Sequence, residues 1–295
     1  MTLQEKKFSL FLMGDKGLAV LEAIVKNGMT AYIDCVVSEN DANTLDISNE
    51  GIREICQSSN IQYYNRKERF EITAEYIIAI AWRWMIRAKN SKIIVLHDSL
   101  LPKYRGFAPL VNMLIHREPS IGVTAFFASD EYDRGDIIDQ ESVRIEYPIR
   151  IAEAIQLISP IYVSITISII TKIIKHQVLN TLPQNEADAT YSLWRDEDDY
   201  RIDWNNSAED IQQFVYSTGY PYKGASSIVH GEIVRIVDCT PLPDVIIMNR
   251  DVGKILFYQD SYPVVVCGEG LLKILEMKND YGDRVLLSKT RVRFC

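Results

Sequence analysis

The segment that decides the fold is Val95-Leu-His-Asp-Ser-Leu-Leu-Pro-Lys-Tyr-Arg-Gly106. It overlaps the apolar run from Ile93 to Leu96, which is typical of an interior strand in a parallel sheet, where both faces are covered. Open α/β sheets bind their ligands beyond the carboxyl ends of the strands, so His97 lies where catalytic groups are commonly found. Pro102 and Gly106 then bracket a tight loop.

A second strand is predicted at Gly-Val-Thr-Ala-Phe-Phe, residues 122–127, and it leads into a turn that carries Asp133. If a carboxylate at this strand end meets His97 across the crevice, the two form a general base and the group that orients it and stabilises its cation. The spacing alone leaves an alternative open, in which both are turn residues without a catalytic role.

Short apolar runs alternate with helical patterns in the first part of the chain. These runs lie at 8–12, 32–37, 61–64 and 76–81. Such alternation predicts an α/β domain with a parallel sheet. The turn after the first run lacks the G-x-G-x-x-G spacing of a dinucleotide site, so we expect no such cofactor. Lys16 in this turn is a candidate partner for a phosphate or a carboxylate.

The composition changes near residue 185, where a polar stretch leads into a β-rich region. Six short segments between 226 and 287 are separated by turn residues, which predicts a small barrel or a two-layer antiparallel sheet. We therefore predict a catalytic domain over 1–185, and a linker with a β-rich domain over 186–295.

Composition limits the classes of function. The 295 residues carry a net charge of −8, which argues against a nucleic-acid partner held through its phosphates. The five cysteines include no close pair, so neither a disulfide framework nor a zinc site is indicated. The start of the chain lacks the pattern of a signal peptide, and the apolar run from 151 to 175 has the periodicity of a helix laid on a sheet. We expect a cytoplasmic protein with no membrane partner.

Three motifs together resemble the N10-formyltetrahydrofolate-dependent formyltransferases. They are His-x-Ser-Leu-Leu-Pro-x-Tyr-Arg-Gly from His97, Gly-Val-Thr from Gly122 and Asp-x-Gly-Asp-Ile from Asp133. The stretches 189–204 and 219–225 are similar to the bacterial members that act on nucleotide-linked amino sugars, so the resemblance covers nearly the whole chain. It implies a Rossmann-like domain followed by an OB-like or antiparallel domain.

The resemblance also implies a reaction and its partners. The expected reaction moves a formyl group from N10-formyltetrahydrofolate, without a metal, to a nucleotide-linked amino sugar such as a dTDP-amino-dideoxyhexose. The product would serve lipopolysaccharide O-antigen synthesis, and we expect a homodimer. Two alternatives stay open. One is a formyltransferase for another amine such as methionyl-tRNA, and the other is a catalytically silent protein that binds folate or a nucleotide sugar.

Site residues follow from the same resemblance. His97 and Asp133 are the expected catalytic pair, and the expected cofactor-binding residues are Trp84, Met85, Ile86 and Leu101. Trp84, Met85 and Ile86 follow a strand end and resemble the loop that encloses the pterin. The pattern alone favours the alternative that they cap the core, and the resemblance reverses this preference.

The expected substrate-binding residues are Arg105, Arg195, Tyr222 and Lys223. Arg105 could pair with a phosphate or lock its own loop, and Arg195 could instead join local ion pairs. Tyr222 and Lys223 offer an aromatic face beside a cation, which suits a base and a pyrophosphate, although an ordinary β-turn accounts for them too.

One position departs from the family pattern. The family carries Asn two residues before the histidine, where its amide would donate to the developing oxyanion, and this chain has Val95 there. Either a backbone N–H, protonated His97 or another side chain such as Asn112 fills this role, or the enzyme is weakened or repurposed.

Overall fold

The computed structural model describes residues 6–41, 44–45 and 47–295. The chain divides into two compact units: the first runs up to Leu110 and includes Ser120–Arg144 and Ala154–Leu193, and the second holds Val111–Pro119, Ile145–Glu153 and Trp194–Cys295. The domain boundary near residue 185 stays a prediction.

The strands are β1 (Phe8–Leu12), β2 (Ile33–Ser38), β3 (Tyr63–Asn65), β4 (Tyr76–Ile80), β5 (Lys92–His97), β6 (Arg105–Gly106), β7 (Ser120–Phe127), β8 (Ile137–Arg144), β9 (Tyr191–Ser192), β10 (Ala225–Val229), β11 (Glu232–Leu242), β12 (Ile255–Gln259), β13 (Tyr262–Val266) and β14 (Leu271–Asn279). The helices are α1 (Gly14–Lys26), α2 (Ser48–Ser58), α3 (Pro109–Ile115), α4 (Ile151–Ile174) and α5 (Ala208–Thr218).

The first unit is built on a seven-stranded sheet with the order β3-β2-β1-β4-β5-β7-β8. Strands β3, β2, β1, β4 and β5 are mutually parallel, as the alternation of strands and helices predicts. The apolar runs of β1, β2 and β4 are largely buried, and Phe8, Leu10 and Leu12 of β1 have no exposed surface. The predicted Rossmann-like α/β class is confirmed, with β5 ending at His97.

The sheet is mixed rather than wholly parallel. β7 runs antiparallel to β5, and β8 runs antiparallel to β7. The turn between β7 and β8 is too short for the crossover that a parallel pair would need, so the chain reverses there.

The second unit contains a five-stranded antiparallel sheet with the order β10-β11-β14-β13-β12. This confirms the predicted antiparallel β-rich region, but the last of the six predicted segments, at 285–287, does not form a strand. Helix α5, which we did not predict, packs on this sheet through Ile211 and Val215. The sequence does carry a signal for this helix, because serine is a preferred residue at the start of a helix. In the structure the Ser207 side chain accepts a hydrogen bond from the backbone N–H of Asp210 and caps the helix.

Helix α4 is long and apolar enough to cross a membrane by length and composition, with a mean hydropathy of 1.9 in its most apolar window. In the folded protein 44% of that window is buried, and Ile158 and Ile169 have no exposed surface. The Tyr162 hydroxyl donates to the carboxylate of Asp98, which directly follows β5, at 2.5 Å. The helix therefore contributes to the core of the first unit and holds the end of β5.

Candidate active site

His97, the last residue of β5, is held by the backbone of the loop that follows it. Its Nε2–H donates to the carbonyl oxygen of Tyr104 at 2.9 Å. A carbonyl oxygen can only accept, so this contact places the proton on Nε2 and leaves the lone pair of the neutral ring on Nδ1. Nδ1 is therefore the atom of His97 that can take a proton from a substrate.

The carboxylate of Asp133 faces that nitrogen. Its Oδ2 lies 3.8 Å from Nδ1 of His97 and accepts a hydrogen bond from the backbone N–H of Gly106 at 2.7 Å. The 3.8 Å separation is too long for a direct hydrogen bond but short enough for a carboxylate to stabilise an imidazolium. We expected Asp133 to orient the ring; in this geometry the Tyr104 carbonyl orients it, and Asp133 contributes its charge.

Asp133 reaches His97 by a route that the sequence did not predict. Because β7 is antiparallel to β5, Phe127 at its carboxyl end pairs with Ile94 near the start of β5, far from the expected crevice. The loop after β7 then returns along the sheet toward His97. Gly135 permits this path, since a Cβ there would lie 1.6 Å from the carbonyl oxygen of Phe127. The two residues meet, but not because two parallel strands end together.

The Ser-Leu-Leu-Pro turn after His97 is fixed by β7 and β8. The Thr124 hydroxyl donates to the Ser99 carbonyl at 2.6 Å and accepts from the Leu101 N–H at 3.1 Å. The Gln140 amide donates to the Leu101 carbonyl at 3.0 Å and to the Thr124 hydroxyl at 2.7 Å. Leu101 is only 3% exposed and belongs to this support. Its expected contact with the cofactor therefore gains no backing from the geometry.

Arg105 is a buried anchor with only 1% of its surface exposed. Its guanidinium donates to Gln184 at 2.8 and 3.1 Å and to the carboxylate of Glu186 at 2.7 and 2.8 Å. The side-chain amide of Gln184 in turn donates to the carbonyl oxygens of Asp133 and Gly135 at 2.7 and 2.8 Å. Of the two alternatives for Arg105, the geometry favours locking the loop over binding a phosphate, and the same network fixes the Asp133 turn.

Asp98 forms a buried cluster beside His97. Its carboxylate accepts from Lys16 at 2.6 Å and from the Tyr162 hydroxyl at 2.5 Å. Burial by itself would raise the pKa of Asp98, but the Lys16 ammonium and these hydrogen bonds outweigh it and hold the pKa below its ordinary value of 3.8. Lys16, a candidate for binding a phosphate, is thus occupied by a carboxylate of the protein itself.

A cavity of about 300 Å³ adjoins His97 and Asp133. Trp84, Met85 and Ile86 line it, and their contact with the cofactor stays a prediction. Val95 also lines it and packs in a cluster with Trp82, on the same face of β5 as His97. The walls suit a flat ring, although a hydrogen-bond donor at position 95 is lacking.

The remaining expected substrate residues lie in the second unit. Arg195 donates to the side-chain oxygen of Asn112 at 2.7 Å, and burial lowers its pKa. Lys223 lies 3.8 Å from the carboxylate of Glu197, and the backbone N–H of Tyr222 closes the turn 219–222. The guanidinium of Arg195 thus makes hydrogen bonds to an amide oxygen and to the backbone carbonyl of Asp199, rather than the local ion pairs left open for it. The contacts of Tyr222 and Lys223 match an ordinary turn, and the part of all three residues in substrate binding stays a prediction.

Several supporting residues escaped the sequence analysis. Asp98 had a readable signal, being an acidic residue directly after a candidate catalytic histidine at a strand end. Gln184 had no such signal in the sequence, because it lies in a polar stretch about fifty residues from the Asp133 turn to which it donates.

Family models match both parts of the chain. Residues 11–153 match the family described as formyl transferase, and residues 195–289 match the formyl transferase C-terminal domain. Methionyl-tRNA formyltransferase of Thermodesulfovibrio yellowstonii is 30% identical over 241 residues, which cover 80% of this chain and 75% of that protein. Its counterpart in Fusobacterium nucleatum is 24% identical over 274 residues, 87% of each chain.

Solved structures share the fold. WlaRD, a sugar 3N-formyl transferase, superposes with a TM-score of 0.67 at 18% identity, covering 92% of this chain and 98% of its own. The N-formyltransferase of Helicobacter canadensis also gives 0.67, at 17% identity, over 96% of this chain and all of its own. HypX of Aquifex aeolicus superposes with a TM-score of 0.63 at 18% identity. The superposition covers 96% of this chain but only 46% of HypX. Fold and sequence together show that this chain belongs to the formyl transferase family, enzymes that transfer formyl groups.

Proposed function

We propose that this protein moves the formyl group of N10-formyltetrahydrofolate to the amine of a nucleotide-linked amino sugar, such as a dTDP-amino-dideoxyhexose, for surface polysaccharide synthesis. The observation that carries the proposal is Nδ1 of His97, which can accept a proton, 3.8 Å from the Asp133 carboxylate beside a cavity with aromatic walls. An amine must lose a proton when it forms an amide, and this nitrogen provides the acceptor.

The cavity fits the flat pterin ring of the donor. Among the described residues, Trp82 lines the cavity and its Nε1–H is buried without a hydrogen-bond acceptor. Buried donors are rarely left unpaired, so a ring that carries acceptor atoms suits this place. When bound, N10-formyltetrahydrofolate supplies the activated formyl carbon.

The residues of the chain then have distinct tasks. Nδ1 of His97 accepts the proton of the attacking amine, and Asp133 stabilises the resulting imidazolium. The same nitrogen returns the proton to the departing nitrogen of the donor, so the histidine is regenerated. Val95 offers no donor to the formyl oxygen, and we propose that the imidazolium charge beside it fulfils part of that role.

The acceptor is the finer part of the proposal. Tyr222 and Lys223 would receive the base and the pyrophosphate, and WlaRD was crystallised in the presence of dTDP and 5-N-formyl-tetrahydrofolate. A net charge of −8 disfavours a polyanion such as tRNA. We further expect a cytoplasmic homodimer, and light scattering at micromolar concentration that shows a monomer would rule the dimer out.

A second candidate acceptor is methionyl-tRNA, because the relatives at 24–30% identity carry that name. Incubation of the protein with N10-formyltetrahydrofolate and either amino-sugar nucleotides or methionyl-tRNA separates the two. Release of tetrahydrofolate with an amino sugar alone supports our proposal. Release with methionyl-tRNA alone would replace the acceptor, and no release with any amine would support a silent binding protein.

A further inference from the structure

Both members of the catalytic pair contact one short loop. The carbonyl oxygen of Tyr104 accepts from Nε2 of His97 at 2.9 Å, and the N–H of Gly106 donates to the carboxylate of Asp133 at 2.7 Å. Tyr104 has a φ of 60°, in the left-handed region that residues other than glycine rarely adopt. Such backbone is costly and persists where the surroundings enforce it. Another part of the chain therefore has to hold this loop.

The segment that holds the loop comes from much later in the sequence. β9 pairs in parallel with β6, and both strands lie in the first unit. The N–H of Arg105 donates to the Thr190 carbonyl at 2.9 Å, and the N–H of Phe107 donates to the Ser192 carbonyl at 3.0 Å. A Cβ at Gly106 would lie 2.4 Å from that carbonyl oxygen of Ser192, so glycine lets the two strands approach.

Two hydroxyl groups extend this pairing beyond the backbone. The Thr190 hydroxyl accepts from the N–H of Tyr104 at 2.9 Å, so it binds the residue whose carbonyl holds His97. The Ser192 hydroxyl donates to the Phe107 carbonyl at 2.7 Å, and Ser192 is only 7% exposed. Neither residue belongs to the described lining of the cavity, so an effect of either hydroxyl on catalysis has to pass through the loop.

We propose that Thr190 and Ser192 are positioning residues of the catalytic pair. Thr190 acts on His97 through Tyr104, and Ser192 acts on Asp133 through the end of β6. This inference rests on the proposed function, because it takes the histidine as the base. The segment that leads to the second unit is then a part of the catalytic apparatus rather than a connection alone.

The effect of such positioning falls on the chemical step. A catalytic group has to lie within about 0.5 Å and 10–20° of its productive geometry. A displaced Tyr104 carbonyl turns the imidazole of His97 and misdirects Nδ1, while the cavity walls stay in place. A change of this kind lowers kcat and leaves the KM of donor and acceptor nearly unchanged.

The kinetic test compares Thr190→Val and Thr190→Ser with the wild-type protein. Valine keeps the branched shape of threonine and removes the acceptor for the Tyr104 N–H, whereas serine retains it. We expect Thr190→Val to lower kcat about three- to tenfold, the equivalent of one net hydrogen bond, with both KM values nearly unchanged. Thr190→Ser should behave nearly as the wild type, and Ser192→Ala should lower kcat by a factor similar to that of Thr190→Val.

Ser207→Ala is the matched control. Its hydroxyl also accepts from a backbone N–H, that of Asp210 at 3.1 Å, and it caps α5 in the second unit. Loss of this cap should lower the thermal midpoint and leave kcat unchanged. An equal fall of kcat in Ser207→Ala would show that lost stability alone explains the effect, and would contradict the positioning role.

A spectroscopic measurement separates this inference from the proposed function. NMR of protein with isotope-labelled histidine detects the Nε2–H of His97, assigned by its absence in His97→Asn. The bond to Tyr104 slows exchange of this proton with water, and we expect faster exchange in Thr190→Val than in Thr190→Ser or the wild type.

The outcomes are distinct. If the wild-type protein transfers formyl groups, an unchanged kcat or an unchanged exchange rate in Thr190→Val would overturn the inference while the function stands. A wild-type protein that transfers no formyl group would overturn the proposed function, and the exchange rates would still decide whether Thr190 positions His97.

Discussion

The Nε2–H of His97 donates to the backbone carbonyl of Tyr104 at 2.9 Å, which leaves Nδ1 as the basic atom of the site. Because a main-chain group holds the ring, its orientation does not depend on the carboxylate of Asp133. Substitution of that carboxylate therefore tests its charge, with the histidine still in place.

We predict that Asp133→Asn and His97→Asn each lower kcat for formyl transfer by about 100-fold or more, the lower range for a positioned acid–base group. Asparagine preserves the backbone at position 133, since it tolerates the φ of 56° there, and its side-chain oxygen can still accept from Gly106. Thermal unfolding should be nearly unchanged, and steady-state kinetics measures the effect.

Matched controls exist for both substitutions. Asp260 has a φ of 53° and its side chain is 73% exposed, and His230 has a φ of 54° in a turn of the second unit. Asp260→Asn and His230→Asn should leave kcat unchanged. Near-normal turnover in Asp133→Asn would show that the charge of Asp133 does not contribute to catalysis.

Gln184→Met tests whether the Arg105 network positions Asp133. The variant keeps the length of the side chain but loses the hydrogen bonds to the carbonyls of Asp133 and Gly135. Partly buried carbonyls left without a donor should cost about 1 kcal/mol of unfolding free energy, the low end of the range for an unpaired polar group. We expect kcat to fall with little change in either KM, because a displaced Asp133 affects the transition state. Denaturant unfolding and kinetics on the same preparation give both values, and an unchanged kcat would make Gln184 purely structural.

The cluster around Asp98 predicts a pH dependence of stability. The pKa of Asp98 lies below 3.8, so its contribution is present at neutral pH and is lost as the pH falls through the folded pKa. Lys16→Met leaves the carboxylate buried without its cation and should cost about 3 kcal/mol or more at neutral pH. The difference from the wild type should shrink as the pH falls through the folded pKa of Asp98, because the carboxylate is then protonated.

Urea unfolding at several pH values measures this difference. Lys254→Met is a control, because Lys254 and its partner Asp251 are both 49% exposed and such pairs contribute little. A difference that stays constant with pH would show that Lys16 stabilises the protein by packing alone.

The sequence predicted those features that depend on local pattern. The apolar run ending at His97 correctly gave an interior strand with a histidine at its carboxyl edge. The return of the chain after Phe127 was not predictable in the same way, since strand direction is set by pairing with distant residues. The meeting of His97 and Asp133 was expected from the family resemblance, and the antiparallel route was not.

The polar residues that hold the loops were harder to predict than the strand that carries His97. Arg105 stands in a motif that is typical of the family, but its partners Gln184 and Glu186 lie about eighty residues away in a polar stretch without periodicity. A buried arginine and a phosphate-binding arginine therefore have the same local sequence. Their distinction requires the tertiary contacts.

Val95→Asn tests the departure from the family pattern. Val95 is partly buried and packs in a cluster with Trp82 and Phe11, so an amide at this position would be placed among apolar side chains. We predict a loss of roughly 1–3 kcal/mol of unfolding free energy with no gain in kcat. A rise in kcat toward the ~100-fold value of one oxyanion donor would show instead that this role is unfilled in the natural protein.

The most direct test of the account follows a label. The donor N10-formyltetrahydrofolate, labelled at the formyl carbon, is mixed with dTDP-amino sugars in one reaction and with methionyl-tRNA in another, using the wild-type protein and His97→Asn. We predict that the wild-type protein transfers the label to the amine of a dTDP-amino sugar with release of tetrahydrofolate, and that His97→Asn slows this transfer by about 100-fold or more. Label found only on methionyl-tRNA, or transfer that does not depend on His97, would contradict the account.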